Sequence, residues 1–319
     1  MNDSPILVTG AAGFIGSHLV DRLLAEGFRV LGIDNFNNYY DPKIKETNLE
    51  TALRSKFFKL YRGDILDFGF LNKIFKSEGP TNVIHMAARA GVRSSIENPK
   101  LYSLVNVSGT VNLLKLSVAN QAERFIFGSS SSVYGQSKRR PFGEDDPCEN
   151  IISPYGASKR AAEFFVESFH KCYGLKSTIL RFFTVYGPRG RPDMAPAIFT
   201  NAILTGKPID QFGDGSTSRD YTYIDDIIEG IVRAIDKNFD FEIINLGNNH
   251  PVKLADFINT LEKIIGKKAK INKLPIQQGD VEKTWANIIK AQKLLGWLPK
   301  KTFPEGLQNY LSWYKSFHR

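Results

Sequence analysis

The stretch LVTGAAGFIGSHL, residues Leu7–Leu19, decides the fold. It begins as a short apolar run typical of a buried strand and continues as a helical pattern, with Gly10, Gly13 and Gly16 at the join. Glycines at such a join let a pyrophosphate approach the backbone, and the helix N-terminus supplies N–H donors to it. The stretch therefore predicts a dinucleotide site, and the alternative is a tight strand–helix turn without a ligand.

Beyond this stretch, short apolar runs alternate with helical patterns to about residue 180. The strand-like runs are PILVTG, FRVLGIDN, FFKLYRGD, NVIHMAA, RFIFGSSS, STILRFF and, much later, FEIINLG. The alternation predicts an α/β fold with a Rossmann-type, doubly wound parallel sheet. Because FEIINLG returns after an irregular region, we expect a smaller C-terminal substrate domain interleaved with the first. The predicted NAD-binding domain is 1–180 plus about 220–249, and the substrate domain is about 181–219 plus 250–319.

The second predicted strand ends in Asp34, 18 residues after Gly16. A carboxylate there accepts hydrogen bonds from both hydroxyls of an adenosine ribose and repels a 2′-phosphate. No arginine follows directly, so the pattern favours NAD over NADP. The RGDI stretch after the third strand places Asp64 and Ile65 where an adenine would lie.

Composition and charge narrow the class of protein. The 319 residues are 42% hydrophobic, enough for one large or two coupled domains, and the net charge of +9 is dispersed, which argues against a nucleic-acid partner. The two cysteines, Cys148 and Cys172, fit no metal or disulfide framework, so we expect no metal and a reducing cytoplasm. No run reaches the roughly 18 apolar residues of a membrane span, and the N-terminus lacks a signal peptide's basic segment, so we expect no membrane association.

The stretch SPYGASKRAAEFF, residues 153–165, places Tyr155 and Lys159 four apart. Of the three Tyr-x-x-x-Lys pairs in the chain, only this one begins a sustained helical pattern, since Pro42 and Gly135 interrupt the other two. An ammonium one helical turn from a phenol favours the phenolate, which is a usable general base. The alternative is a chance pair on a solvated helix face.

A serine-rich stretch, FGSSSSVYG, ends the strand before that helix. Open α/β sheets bind ligands at the carboxyl ends of their strands, so a serine there is placed to bind a substrate hydroxyl. The alternative is an ordinary polar loop, in which serine is common.

Taken together, these motifs resemble those of the extended short-chain dehydrogenase/reductases, and more narrowly those of NAD-dependent nucleotide-sugar 4-epimerases. The resemblance covers nearly the whole chain, to the tail LGWLPKKTFPEGL. The motifs, in the family's order, are the glycine triplet, Asp34, RGDI, HMAA, SSSSVYG, SPYGASK, LRFFTVYGPRGRPD and GDGSTSRDYTYIDD.

The resemblance implies roles for individual residues. Tyr155 is the base that takes the sugar O4 proton, Lys159 binds the nicotinamide ribose and lowers the pKa of Tyr155, and Ser130 lies beside O4. The implied cofactor-binding residues are Gly10, Gly13, Phe14, Ile15, Gly16, Asp34, Asn35, Asp64, Ile65, Ala87, Ala88, Asn106, Tyr155 and Lys159. Arg219 matches the arginine that pairs with the substrate diphosphate, and Asp280 is a looser match to a contact with the nucleotide ribose.

Departures from sister families point to reversible hydride transfer at one carbon. Dehydratases of this superfamily carry Thr-Asp-Glu before Val-Tyr-Gly, and uronate decarboxylases carry Glu directly before that valine, where this chain has Ser130, Ser131 and Ser132. The implied reaction removes hydride from C4 to NAD, lets the 4-keto sugar turn over, and returns hydride to the other face.

The stretch RFFTVYGPRGRPD indicates which sugar the substrate carries. Thr184 and Arg191 resemble the pair with which uronate 4-epimerases hold the C6 carboxylate, and an arginine suits a carboxylate physically. The sequence therefore favours UDP-glucuronate and UDP-galacturonate, with Ser131 and Ser132 as further carboxylate contacts and Arg93 as a lower-ranked anion contact. Alternatively, Arg191 pairs with Asp193 or serves only the diphosphate.

Two rival functions stay open from the sequence. One is a 4-epimerase for UDP-glucose or UDP-N-acetylglucosamine, which shares the fold, the cofactor and the Tyr/Lys pair. The other is a catalytically silent NAD-binding protein. The resemblance also implies a homodimer through helices at roughly 100–120 and 155–172, and a role in polysaccharide synthesis.

Overall fold

A seven-stranded parallel sheet lies at the centre of the computed structural model, which describes residues 4–275 and 281–318. The strands of this part of the chain are β1 (Ile6–Thr9), β2 (Val30–Asp34), β3 (Phe58–Arg62), β4 (Asn82–His85), β5 (Arg124–Ser130), β6 (Ser177–Phe182), β7 (Thr184–Tyr186), β8 (Pro208–Phe212), β9 (Ser218–Tyr223), β10 (Phe241–Leu246), β11 (Pro251–Lys253) and β12 (Lys270–Leu274). Its α-helices are α1 (Phe14–Ala25), α2 (Pro42–Leu49), α3 (Phe68–Glu78), α4 (Val92–Glu97), α5 (Pro99–Ser103), α6 (Gly109–Ala119), α7 (Pro154–Tyr173), α8 (Ala195–Thr205), α9 (Ile224–Asp236), α10 (Leu254–Ile265), α11 (Ile289–Leu295) and α12 (Phe303–Phe317).

The order of the strands is that of a doubly wound sheet. It runs β10-β6-β5-β4-β1-β2-β3, and every neighbouring pair is parallel. The chain moves outward from β1 through β2 and β3 on one side, then from β4 outward on the other. Ligands of such sheets bind where the order reverses, at the carboxyl ends of β1 and β4. The predicted Rossmann-type fold is confirmed.

The late strand β10 completes the main sheet. It pairs with β6, with Phe241 opposite Ser177 and Leu246 opposite Phe182. The predicted return of FEIINLG to the first unit is therefore seen. Between and after these segments the chain builds two smaller sheets, β11-β9-β7 and β12-β8. The division into two domains with the stated boundaries stays a prediction.

Helix α2 corrects one reading of the sequence. Pro42 argued against a helix between Tyr39 and Lys43, yet a helix begins at Pro42, because proline is tolerated in the first helical turn, where its missing N–H has no partner to lose. The side chain of Asp41 caps it by accepting a hydrogen bond from the Lys43 amide at 2.9 Å. Tyr39 precedes the helix, so this Tyr/Lys pair shares no helical face.

The segment that leads into α12 is fastened to α9 by Asp226. Its buried carboxylate accepts hydrogen bonds from the backbone amides of Lys300 and Lys301 at 2.9 and 3.0 Å, and its carbonyl oxygen accepts one from the indole of Trp297 at 2.8 Å. Trp297 itself is only 1% exposed. In the described part of the chain, no helix has both the length and the apolar character needed to cross a membrane.

We expect Asp226→Asn to lower the free energy of unfolding by about 1–3 kcal/mol, because an amide keeps one acceptor oxygen and leaves one buried N–H without a partner. Urea unfolding measures this. The neighbouring Asp225 is exposed, so Asp225→Asn is the matched control and should change stability by less than about 0.5 kcal/mol. Equal losses in the two variants would contradict the role given to Asp226.

Candidate active site

One cleft crosses the carboxyl ends of the central strands. The residues predicted from sequence that line it are Gly10, Gly13, Phe14, Ile15, Gly16, Asp34, Asn35, Asp64, Ile65, Ala87, Ala88, Tyr155, Lys159 and Arg191. Segments far apart in the sequence therefore meet at a single site, because the parallel strands that precede them all end at the same edge of the sheet.

The glycine turn is packed too closely for side chains. Gly10 has φ +70°, and a Cβ on it would lie 2.8 Å from the amide nitrogen of Ala87. A Cβ on Gly16 would lie 2.0 Å from the carbonyl oxygen of Gly10. Gly13 occupies the N-cap of α1 and supplies no side-chain cap. The turn thus fits a diphosphate, which requires close backbone approach and helix N–H donors.

Asp34 lies at the end of β2. A dinucleotide whose diphosphate bound at the glycine turn would have its adenosine ribose here. Its carboxylate accepts hydrogen bonds from the amides of Ala12 and Phe36, one on each oxygen, at 3.1 and 2.8 Å. Each oxygen keeps a further lone pair, so the group fits two ribose hydroxyls. Burial raises the pKa of Asp34, and the charge of Lys45 opposes that effect.

Lys45 is a site residue that the sequence reasoning missed. It is 4% exposed, lies 4.0 Å from Asp34 and donates a hydrogen bond to the carbonyl oxygen of Asn37 at 3.0 Å. It escaped notice because helix α2, which carries it, was not predicted. A proline followed by a helical pattern after Asp34 is the signal that would have found it.

Asn35 and Asp64 join the ends of β2 and β3. The amide of Asn35 donates to the Asp64 carboxylate at 2.7 Å, and the carboxylate also accepts from the Leu66 amide at 2.9 Å. Ile65 lies against Gly109 of α6, where a Cβ would approach it to 2.5 Å. These contacts fix the edge of the cleft at which the adenine was predicted.

Tyr155 and Ser130 face each other across the start of α7. The helix begins where the Ser153 hydroxyl accepts a hydrogen bond from the Gly156 amide at 3.1 Å. Ser130, at the end of β5, lies near enough to the Tyr155 phenol to lower its pKa. The Tyr155 ring also contacts that of Tyr102 edge-on, with centroids 6.1 Å apart. The roles of Ser130 and Tyr155 at the sugar O4 stay predictions.

The pKa of Tyr155 depends on the groups that surround it in the fold. Its pKa is raised because burial outweighs the lowering by the Ser130 hydrogen bond and by the charge of Arg191. Lys159 donates a hydrogen bond to the carbonyl oxygen of Gly128 at 2.7 Å. Burial also lowers the pKa of Lys159 to about 7, against the opposing charge of Glu163. The lowering of the Tyr155 pKa by Lys159 stays a prediction.

Asn106 lies behind the cleft wall rather than in it. It is 1% exposed and sits in a π-helical turn, Leu104–Ser108. Its side chain bonds both backbone groups of Arg89 and donates to Ser158 at 2.9 Å, and Ser158 donates to the Tyr155 carbonyl at 2.8 Å. Asn106 therefore connects the loop after β4 to the first turn of α7.

His85 extends this network into the sheet. Its ring nitrogens lie 2.7 Å from the Thr9 hydroxyl and 3.0 Å from the Thr110 hydroxyl, and Thr110 donates to the Asn106 carbonyl at 2.6 Å. Burial, together with the charge of Lys159, lowers the pKa of His85 to about 3. The sequence reasoning gave His85 no role, although a histidine at the end of a buried strand run is a usable signal.

Arg191 reaches the cleft from the loop after β7. Its guanidinium forms a two-pronged pair with Asp193, Nε to Oδ1 and Nη2 to Oδ2, both 2.9 Å long. This is the alternative partner that the sequence left open. Arg191 nevertheless lines the same cleft as Tyr155 and lowers the pKa of that phenol.

The other residues predicted to bind the substrate do not line the cleft in the described part of the chain. Ser131, Ser132 and Thr184 are half-buried. Arg219 donates to the carbonyl oxygen of Ser218 at 3.0 Å, and the guanidinium of Arg93 stacks over the ring of Phe212 at 4.8 Å. Within the described residues these side chains lie outside the lining of the cleft. Asp280 lies outside the described residues.

Residues 6–247 match the model of the NAD dependent epimerase/dehydratase family. The chain belongs to this family. A UDP-glucuronate 4-epimerase from Thermodesulfobacterium geofontis is 46% identical over 311 residues, 97% of this chain and 95% of that protein. The predicted family resemblance is therefore confirmed.

Two solved structures share the fold over almost their full lengths. The UDP-glucuronic acid 4-epimerase from Bacillus cereus, in complex with UDP-glucuronic acid and NAD, has a TM-score of 0.93 at 39% identity and covers 98% of this chain and 99% of its own. The UDP-glucose 4-epimerase from Thermotoga maritima, with UDP-glucose, has a TM-score of 0.92 at 34% identity, with 99% and 100% covered.

The buried histidines predict a loss of stability in mild acid. The pKa of His85 is lowered to about 3 and that of His18 to about 4, both by burial, so below pH 6.5 the unfolded chain binds protons that the folded chain does not. Each histidine should lower the free energy of unfolding by about 1.2 kcal/mol between pH 6 and 5. Urea unfolding at pH 7 and pH 5 measures this.

In the same experiment His85→Gln should weaken the dependence on pH, whereas His250→Gln, at an exposed position, should leave it unchanged. A His85→Gln variant with the wild-type dependence on pH would show that His85 is protonated in the folded protein.

Proposed function

We propose that this protein is an NAD-dependent UDP-sugar 4-epimerase that interconverts UDP-glucuronate and UDP-galacturonate. The observation that carries the proposal is the convergence of the glycine turn, Asp34, Tyr155 and Arg191 on one cleft, with Ser130 next to the Tyr155 phenol. The similar proteins described above include 4-epimerases for UDP-glucuronate and for UDP-glucose, which supports the reaction. Which sugar is the substrate is therefore argued from the residues near C6.

NAD fits the residues of this chain. We assign the glycine turn to the diphosphate, Asp34 to the adenosine ribose and Lys159 to the nicotinamide ribose. The Asp34 carboxylate, which accepts hydrogen bonds from two backbone amides, disfavours a 2′-phosphate. When bound, NAD supplies the hydride acceptor and donor for C4 and a positive ring charge that favours the Tyr155 phenolate.

Tyr155 then moves the proton of the sugar O4. We assign Ser130, which lies near the phenol, to orient O4 beside it. Burial raises the pKa of the phenol and the charge of Arg191 lowers it, so the charge of the phenol depends on the groups around it. Tyr155 takes the proton as the 4-keto sugar forms and returns it when the hydroxyl is restored on the other face.

A uronate imposes one further demand. Its 4-keto form is a β-keto acid, which loses CO2 when the C5–C6 bond aligns with the carbonyl π system. We assign Arg191 and Thr184, with Ser131 and Ser132, to hold the carboxylate out of that alignment. We assign Arg219, on β9, to the diphosphate, because its fork of donors suits phosphate oxygens, and Arg93 to a secondary anion contact.

The proposal extends to the oligomeric state of the protein and to the compartment of the cell in which it acts. Leu104, Phe164 and Phe165 are 41%, 54% and 41% exposed, on the segment before α6 and on α7. Apolar exposure of this kind suits a homodimer in which these helices pair with those of a second copy. We place the enzyme in the cytoplasm, where nucleotide sugars are made for polysaccharide synthesis.

Incubation of the protein and NAD with UDP-glucuronate should give the anomeric proton signal of UDP-galacturonate by NMR. Tyr155→Phe should lower turnover by about 10²- to 10⁴-fold, the usual contribution of a general base. Tyr173→Phe is the matched control, because Tyr173 ends the same helix and is 63% exposed. Turnover of UDP-glucose but not of UDP-glucuronate would establish the neutral-hexose alternative instead.

We expect Arg191→Ala to lower kcat/KM for UDP-glucuronate by about 10- to 100-fold, the loss of a hydrogen-bonded charge pair, and to release a decarboxylated pentose product. UDP-glucose turnover, where present, should change little. Arg139→Ala, at a side chain that is 63% exposed, is the control. Unchanged uronate turnover in Arg191→Ala would remove Arg191 from the carboxylate site.

A further inference from the structure

Arg191 already holds a carboxylate in this structure. Asp193 occupies the Nε and Nη2 donors of its guanidinium in the parallel geometry that any carboxylate would adopt. The side chain of Arg191 is 19% exposed and that of Asp193 is 42% exposed. A guanidinium keeps its charge when buried, so Asp193 supplies the anion that the site needs at rest.

Helix α1, which follows the glycine turn, holds the loop that carries Arg191 in place. His18 of α1 lies 2.9 Å from the carbonyl oxygen of Pro188, and Asp21 of α1 forms an ion pair with Arg189 at 2.7 Å. The Arg191 guanidinium also lies 5.5 Å from the centroid of the Tyr39 ring. The loop that carries Arg191 therefore rests on α1 at two points just before the arginine.

The anion is held less firmly. The further side-chain hydrogen bond of Asp193, from the Tyr39 hydroxyl, is 3.3 Å long, beyond the ordinary range for O–H···O contacts. Asp193 directly precedes Met194, the N-cap of α8, and is partly open to water. Water therefore reaches the Asp193 side chain more readily than it reaches that of Arg191.

We propose that Asp193 is a resident counter-ion of Arg191 that the C6 carboxylate of the substrate must displace, which makes Asp193 a specificity-determining residue. The inference rests on the proposed function. Two carboxylates on one guanidinium leave a net negative charge in a half-buried site, where like charges repel. A uronate therefore exchanges with Asp193, whereas a neutral hexose binds beside the intact pair.

The exchange has a consequence for affinity. Every uronate that binds must break the Arg191–Asp193 pair, so Asp193 weakens uronate binding relative to a site without the competing anion. A sugar with a C6 hydroxyl makes no such exchange. Removing the charge of Asp193 should therefore strengthen uronate binding alone.

The test compares Asp193→Asn with the wild type, both loaded with NAD, on UDP-glucuronate and on UDP-glucose. Calorimetry gives Kd, and steady-state assays give KM and kcat. For the variant we expect Kd and KM for UDP-glucuronate to fall by about 3- to 30-fold, as expected for removal of a partly screened like charge. The values for UDP-glucose should stay within about twofold of the wild type.

Asp145→Asn is the matched control, since Asp145 also pairs with an arginine, Arg139 at 3.8 Å, but is 87% exposed. It should behave as the wild type toward both ligands. Urea unfolding of each variant shows that the fold is intact.

Two results would overturn the inference alone: uronate binding that is unchanged or weaker in Asp193→Asn, which would make Asp193 a support that orients Arg191, or equal gains for both ligands. A wild type that neither binds nor converts UDP-glucuronate would overturn the proposed function, and the inference with it.

Discussion

The whole site depends on how closely two backbone segments approach each other at the end of β1. Gly10 lies so near Ala87, and Gly16 so near Gly10, that a single added carbon at either glycine would meet backbone atoms at 2.8 or 2.0 Å. This contact sets the distance between β1 and the loop after β4, and it aims the first turn of α1 into the cleft. The other groups of the site, from Asp34 to Tyr155, are placed relative to that turn by the parallel strands that carry them.

The parts of the fold that the sequence predicted are those encoded locally. The strand–glycine–helix stretch, the acid that ends β2 and the buried runs of the main sheet each carry their own signal, and so all seven central strands were predicted. Helix α2 was not predicted, because proline breaks a helix in its interior. At the first turn, where Pro42 lies, proline is compatible with a helix. Lys45 was missed with it, because a residue's surroundings cannot be foreseen when its element is not.

The electrostatics of the site could not be predicted from spacing. Four residues of separation place Lys159 on the face of α7 that carries Tyr155, but the ammonium turns to the Gly128 carbonyl, and burial governs the pKa of the phenol. Arg191 likewise had a plausible role in sequence, while its pairing with Asp193 at rest depends on a loop held by α1. Burial and competing partners are properties of the folded chain, so residue types suggest the chemistry but not its charge balance.

The position of β10 bears on how the chain is made. On the ribosome, β6 is complete at residue 182, yet the strand that covers it ends only at residue 246. Until then a nascent chain displays β6, buried along its whole length in the finished protein, as an open sheet edge. Such an edge invites pairing with other chains. Premature termination before Phe241 would therefore yield an aggregation-prone fragment rather than a smaller folded domain.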